Sequence, residues 1–587
     1  MQTRSDALRA SGSSRPDALR ASGSSRPDAL RASGSSRPGA LRASGSSRPG
    51  ALRASGSSQL LINARVYSPS HPAATAMAVT GDVISWIGED DLGRAEFPDA
   101  EIVDLEGAFV APAFVDAHVH VTALGLSLIG LDLSDVTARE QCLDRLAAYA
   151  REHPNEVIWG HGWDESRWPD GRPLTTTELD TAASGRAVYL ARIDVHSAAA
   201  STALRQQVPG LAEAAGFHPE WPLIGAAHHL LRAHARGAFS AAGRAQARRA
   251  ALDAAASLGI VSVHECGGPE IGGLEDFREL LATEHGVQVT GYWGEPARDP
   301  DHAGELVAAT GAAGLAGDLF VDGALGSRTA WLREPYHDAP HTCGSRHLDA
   351  ETVEAHLDSC TRAGITAGFH VIGDAAVTQV IDALGRVAER HGVPAVARCG
   401  HRLEHLEMVS AAQAGQLGRL GVIASVQPAF DALWGGPDGM YADRLGADRG
   451  TQLNPLALLA SQGVPLAFGS DAPVTPMNPW VTVRAAAHHR TPSSSVSVRA
   501  AFGAATRGGW RAQGVHDGVT GTLTPGALAS YAIWETGDLT INTSQPGVQR
   551  WSTDPRSRVP ALPDLSDGAA ALPTCLRTVH RGKVIHG

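Results

Sequence analysis

Eight short apolar runs, each followed by a helix-like segment, constrain this fold more than any other feature of the chain. They are VAPAFVDAHVH (110–120), GIVSVHE (259–265), GVQVTGYW (286–293), GDLFVDG (317–323), GITAGFHVI (364–372), ARCGHRLEH (397–405), GVIASVQP (421–428) and GVPLAFGSD (463–471). Strands that alternate with helices predict βα units and a parallel sheet. Eight such units predict a (β/α)8 TIM barrel, an α/β fold whose chemistry gathers at the carboxyl ends of its strands. With 587 residues, the chain is too long for one simple domain and suits a large barrel with additions.

Those additions are legible at both ends. QLLINARVYS (59–68), AMAVTGDVISWIGE (76–89) and AEIVDLEGAFV (100–110) read as short strands with turns between them, and so do GTLTPGALASYAIWE (521–535) and TCLRTVHRGKVIHG (574–587). Neither flank has enough strands for a core of its own. Residues 59–108 and 517–587 are therefore expected to build one composite β-sandwich domain beside a barrel spanning 109–516. Residues 1–58 stand apart. The unit DALRASGSSRP begins at Asp6, Asp17 and Asp28, and recurs at Gly39 and Gly50 with glycine first. With one leucine per unit it cannot bury enough surface to offset its ordering entropy, so a disordered tail is expected.

The connection after the first run is far longer than the few residues usual for a βα loop. This insertion, 124–258, has structure of its own. Thr137 with Glu140 reads as a capping box ahead of a helical face of Leu143, Leu146, Ala147 and Ala150. WGHGWDESRWPDGRPLTTTELD (159–180) follows and reads as a lid over the barrel mouth. Trp163 and Trp168 in that lid, with Trp434, are candidates to line an apolar pocket, although tryptophans also bury without binding anything.

Charge and composition exclude several functions. A net charge of -13 argues against a nucleic-acid partner. No apolar run reaches the ~20 residues that span a bilayer, and no secretory signal is evident, so a cytoplasmic protein acting on a small molecule is expected. The six cysteines lack C-x-x-C spacing and read as thiols of a reducing compartment.

His118 and His120 end the first run. In a strand, residues i and i+2 face the same side, so both imidazoles would address one point. Taken alone, the pair also fits two ordinary core histidines. Other polar residues, however, end later runs: His264 and Glu265 the second, Asp322 the fourth, His405 the sixth and Asp471 the eighth, with His370 inside the fifth and Asp318 at the start of the fourth. Arg328, in the loop after the fourth run, is a candidate for binding a substrate anion or oxyanion.

FVDAHVHV, GWDESRWP, DGALGSRTAWL (322–332), GFHVIGDAAV (368–377), RLEHLEMV (402–409) and FGSDAPVTP (468–476) together resemble the amidohydrolase superfamily, and within it the amidohydrolase-3 branch that includes N-substituted formamide deformylases. The resemblance covers residues 59–587. It implies that His118, His120, His370 and His405 are metal ligands and that Asp471 is a ligand and proton shuttle. It also implies hydrolysis of a non-peptide C–N bond, as in an amide, formamide or carbamate, by water that the metal activates. His405 would polarise the carbonyl, and a homodimer is expected because such barrels are often dimers. Many members carry a carboxylated lysine at the start of the fourth strand, where it bridges two metals. This chain has Asp318 there, and its single lysine is Lys583. One divalent ion per chain is therefore expected, with zinc suiting the imidazole and carboxylate donors. Asp318 would be either a structural carboxylate or a short bridge. Ester or lactone hydrolysis, proton transfer by an isomerase or lyase, and a non-catalytic ligand-binding barrel are the competing readings.

Overall fold

The computed structural model describes residues 58–153, 157–541, 560–568 and 570–587. The repeats before Ser58, and residues 542–559 of the expected β-domain, lie outside them. Ser58, the last residue of the fifth copy, opens the strand Ser58–Ile62.

Eight parallel strands form the barrel: β1 (Phe114–Val119), β2 (Ile260–Gly267), β3 (Gln288–Trp293), β4 (Gly314–Leu315), β5 (Thr366–Val371), β6 (Arg402–His405), β7 (Ile423–Val426) and β8 (Leu466–Phe468). They pair in chain order, with Phe114 opposite Ile260 and His370 opposite Glu404. Beyond β8 the sheet meets β1 through a Val119–Ala472 bridge. There the Asp471 N–H donates to the His118 carbonyl at 2.7 Å, and the His120 N–H to the Ala472 carbonyl at 3.0 Å. β1, β6 and β7 are buried along their whole length and β5 along all but its first residue, which is how strands covered on both faces read.

Three apolar runs differ from the strands they predicted. The first run holds two strands: Phe109–Pro112 pairs within the β-domain, and β1 starts only after Ala113. The fourth run begins too late. The paired strand is β4, and a turn at Gly317 (φ 77°) then breaks the ladder before a lone Phe320–His370 bridge resumes it. Leu319 and Val321 are apolar because that loop is buried, not because it is a strand. The sixth run starts inside a helix, Val393–Arg398, and becomes strand only at Arg402.

Both chain ends enter one sheet, whose order is Arg65–Val66, Phe109–Pro112, Tyr531–Glu535, Thr574–His580 and Lys583–His586. A second sheet from the N-terminal side packs on it, with Leu61, Met77 and Ile84 meeting Val110, Tyr531, Ile533 and Val579 in a shared core. The insertion carries a third sheet that the sequence did not disclose. Its order is Leu223–Ile224, Ser197–Ala200, Val188–Arg192, Ile158–Trp163 and Leu131–Asp132. The expected Thr137–Glu140 box is absent: Ala138 caps the helix Arg139–Glu152, and Thr137 binds the Gln141 side chain instead. The box in this region is Thr175 with Glu178. All six cysteines are free thiols. Among the described residues no helix is long and apolar enough to cross a membrane.

An aromatic cluster joins the β-domain to the barrel. Trp534 packs edge-on against Phe114 of β1 at 5.7 Å and against Trp480 at 5.6 Å, and Trp480 stacks on Phe502. The turn into β2 passes under the same indole at Gly259 (φ 75°), where a Cβ would lie 2.3 Å from the ring. Replacing Trp534 with alanine should therefore lower unfolding stability by about 3–5 kcal/mol in a denaturant titration. A loss below about 1 kcal/mol would show that the two modules are not joined through this ring.

Candidate metal centre

Four imidazoles and two carboxylates meet at the barrel mouth. His118 and His120 leave the end of β1 on one side of the strand, as their spacing requires. His118 Nε2 stands 3.5 Å from Asp318 Oδ1 and 3.4 Å from Asp471 Oδ1. His120 Nε2 stands 3.1 Å from Asp318 Oδ2 and 3.2 Å from Asp471 Oδ1. From β5 and β6, His370 Nδ1 and His405 Nε2 approach Asp318 Oδ1 at 3.7 and 3.9 Å. Asp318 thus touches both histidine pairs, because the Gly317 turn swings it out of line after β4.

This donor set fits a divalent cation. Six of its buried atoms have no hydrogen-bond partner: His120 Nδ1, and five that face one another, His118 Nε2, His370 Nδ1, His405 Nε2, Asp318 Oδ1 and Asp471 Oδ1. Buried polar atoms are nearly always paired, so five orphans facing one another need a common partner. Zinc bonds of ~2.0–2.1 Å space tetrahedral donors ~3.3 Å apart. The distances from His118 and His120 to the two aspartates bracket that spacing, and those from His370 and His405 are looser.

Outer partners orient three of the four rings. Glu404 Oε2 accepts from His118 Nδ1 at 2.8 Å, Gln427 Oε1 from His405 Nδ1 at 2.8 Å, and the Gly323 carbonyl from His370 Nε2 at 3.3 Å. A ligating histidine commonly has such a partner behind it. Glu404 is itself held by Arg402, whose Nε donates to Oε1 at 2.6 Å. Burial opposes the Glu404 charge, but Arg402 and His118 outweigh it and keep the carboxyl well below its ordinary range.

Charge in the cluster is strongly coupled. Burial alone would lower His120, yet the Asp318 and Asp471 carboxylates push it up to about 10. His405 likewise rises to about 9, against burial, through the same two aspartates. The field that holds a proton on these rings would hold a metal cation equally well. Both His405 (φ 71°) and Asp471 (φ 55°) adopt the left-handed backbone region, a strain of about 1–3 kcal/mol each for a non-glycine residue. Asp116 holds the second of them in place by accepting from the Ser470 N–H at 2.9 Å and from its hydroxyl at 2.5 Å. Asp471 does not cap the next helix; Asn478 does.

The cleft above the cluster has two chambers that share Asp194, His196, His370 and Asp471. The larger, about 680 Å³, runs under the inserted sheet past Trp159, Tyr189, Arg232 and Arg236. The smaller, about 360 Å³, is lined by Leu325, Phe430, Trp434, Met440 and Tyr441. Trp434 is thus at the pocket as expected. Trp163 and Trp168 are not. They pack on each other at 6.0 Å beneath the inserted sheet, and Trp163 Nε1 donates to the Leu190 carbonyl at 2.8 Å. Arg328 also falls outside both chambers, where it binds Asp338 through Nε at 3.1 Å and Nη2 at 2.6 Å.

Among the other polar strand ends, Asp322 accepts the N–H groups of Trp331, Ile372 and Gly373, and so shapes the loop after β5. His264 turns toward Arg402, and Glu265 accepts the Val121 N–H. The carboxylates of GWDESRWP have a structural task. Asp164 and Glu165 bind Arg192 at 3.0 and 2.8 Å, and Arg192 positions Asp194 between the chambers at 2.8 Å.

Comparison with known proteins agrees with this geometry. Residues 101–586 match the amidohydrolase-3 model, described as the amidohydrolase family. YtcJ of Bacillus subtilis, assigned as an amidohydrolase, is 28% identical over 443 residues, 70% of this chain and 79% of that protein. The N-substituted formamide deformylase of Arthrobacter pascens is 24% identical over 470 residues, 72% of this chain and 82% of that enzyme. Among solved structures, an uncharacterized metal-dependent hydrolase from Pyrococcus furiosus is 27% identical with a TM-score of 0.62, covering 81% of this chain and 98% of that one. The chain is a member of the amidohydrolase family of metal-dependent hydrolases.

Proposed function

We propose that the protein hydrolyses a non-peptide C–N bond, in an amide, formamide or carbamate-like substrate, with one tightly held divalent ion, zinc by its donor set. The observation that carries this reading is the convergence of five unpartnered buried donor atoms at the barrel mouth. The likeness to a formamide deformylase supports the choice of bond. His118, His120, Asp318 and Asp471 would hold the ion, and His370 and His405 face it across the cleft. The bound ion would supply Lewis-acid chemistry, polarising a carbonyl and acidifying water.

The chain's own groups account for the proton. Water adds its oxygen to the carbonyl carbon, and the C–N bond breaks as the nitrogen takes up a proton. Asp471, whose Oδ1 lies 3.2 Å from His120 Nε2 and which lines both chambers, would accept the water's proton on its other oxygen and deliver it to the leaving nitrogen. His405 directs Nε2 into the cleft because Nδ1 is bound to Gln427, and with the second proton that Asp318 and Asp471 favour on the ring against burial, its Nε2–H would donate to the carbonyl oxygen. The inserted sheet roofs the larger chamber and limits bulk water. The apolar smaller chamber suits a hydrophobic N-substituent.

Two outcomes follow. Asp471→Asn should retain metal and lose hydrolysis of N-formyl and N-acyl amines by about 100-fold or more in kcat. Undiminished turnover would remove Asp471 from the proton path. Glu404→Gln should weaken metal affinity by about 10- to 100-fold in a chelator competition, since His118 loses its charged partner. An unchanged affinity would show that this partner does not tune the site.

A further inference from the structure

The helix Gly225–Gly237 of the insertion buries an unusual face. His228, Arg232 and Arg236 lie on it at four-residue spacing, all turned inward. His228 is held through Nε2, which meets the Tyr189 hydroxyl at 3.0 Å, although its Nδ1 has no partner. The two arginines are not satisfied. Arg232 is 7% exposed and Arg236 6% exposed, and both line the larger chamber together with the metal-facing residues His120, Asp318 and Asp471. Arg232 donates once, from Nη2 to the Glu270 carbonyl at 2.7 Å. Its Nε and that of Arg236 are buried without partners. Among the described residues, neither guanidinium has a carboxylate at ion-pair distance. The Glu270 side chain is turned to His229.

Two buried like charges four residues apart on a helix repel each other, and each costs desolvation. Arg248, close by, shows how this fold normally settles such a group: it is paired with Asp276 at 2.8 Å and Glu279 at 2.9 Å. Arg236 has partial compensation at longer range from Glu265. Burial holds Arg232 below the usual guanidinium range, and Asp318 and Glu270 offset this only at longer range; the pair faces a chamber with aromatic walls at Trp159 and Tyr189, which stack at 4.4 Å.

We propose that Arg232 and Arg236 form a monoanion subsite and that the substrate carries a carboxylate on the part that enters the larger chamber. Resting on the hydrolase reading above, this narrows the substrate class to acids bearing an N-acyl, N-formyl or N-carbamoyl group, with the scissile carbon over the metal cluster and the carboxylate under the inserted helix. A guanidinium pair suits a carboxylate because its planar donors match the two oxygens.

The test is binding, so it does not depend on turnover. Titration calorimetry on the metal-loaded protein would compare 3-phenylpropanoate with its neutral isostere 4-phenylbutan-2-one. The carboxylate should bind about 10- to 100-fold tighter, and Arg232→Gln or Arg236→Gln should remove most of that preference. Arg232→Lys should restore part of it. A purely structural arginine would shift the unfolding midpoint and leave the preference unchanged. Equal binding of the two probes to wild type would overturn the proposal, and so would a preference undiminished in the double glutamine variant, which would place the carboxylate on the metal. If Arg232→Gln does not fold, the wild-type pair and Arg236→Gln decide by the same criteria. A positive result would stand even if no amide were hydrolysed, so the two readings fail separately.

Discussion

A single buried guanidinium holds the barrel's active end together. Arg402 is fully buried, and from β6 it reaches four other strands. It binds Glu404 on its own strand, the Ala117 carbonyl on β1 at 2.6 Å and the Ser425 hydroxyl on β7 at 2.9 Å. It also meets His264 on β2 at 3.1 Å and lies over the Tyr292 ring on β3 at 4.2 Å. A charge at that depth is tolerated only when nearly every donor is used, and here it is. The consequence runs outward in steps: Arg402 fixes the Glu404 carboxylate, Glu404 fixes the His118 ring, and His118 presents Nε2 to Asp318 and Asp471. The preorganisation of the metal-facing atoms begins in the barrel axis, below the site itself.

The second constraint is barrel closure. β8 is short, and the seam beyond it is made by backbone bonds from Asp471 and to Ala472. The residue that carries the proton in the proposed reaction is therefore also part of the seam. Asp116 grips the preceding serine, and the left-handed backbone at Asp471 follows from that double duty. Stability and chemistry share these atoms, and the backbone strain at His405 and Asp471 is part of that arrangement.

Much of this was legible in the sequence, for physical reasons. Alternating apolar runs report strands covered on both faces, so the barrel could be counted. The two-residue spacing of His118 and His120 survives in any strand, and a barrel brings strand ends together whatever their distance in sequence. Other elements were hidden. In β4 only two residues pair, so the buried loop after it looked more like a strand than the strand did. The inserted sheet was masked by its glycines and tryptophans, although VIWGHGW and AVYLARI carry the aromatic and β-branched residues of strands. Trp163 and Trp168 were read as pocket walls because an indole looks the same in a pocket and a core; the supporting sheet claims both. Arg328 was singled out by its place near a strand end, but an exposed arginine finds a surface carboxylate first. Arg232 and Arg236 escaped notice because their meaning lies in missing partners, which no sequence displays.

The central claim is that the orphaned donors at the barrel mouth form a metal centre. The direct test is elemental analysis of protein purified without chelators, beside the His118→Ala/His120→Ala double variant. The account predicts about one equivalent of a divalent metal per chain in the wild type, lost in the variant. Absence of metal from the wild type under every loading condition, or equal metal in the variant, would contradict it.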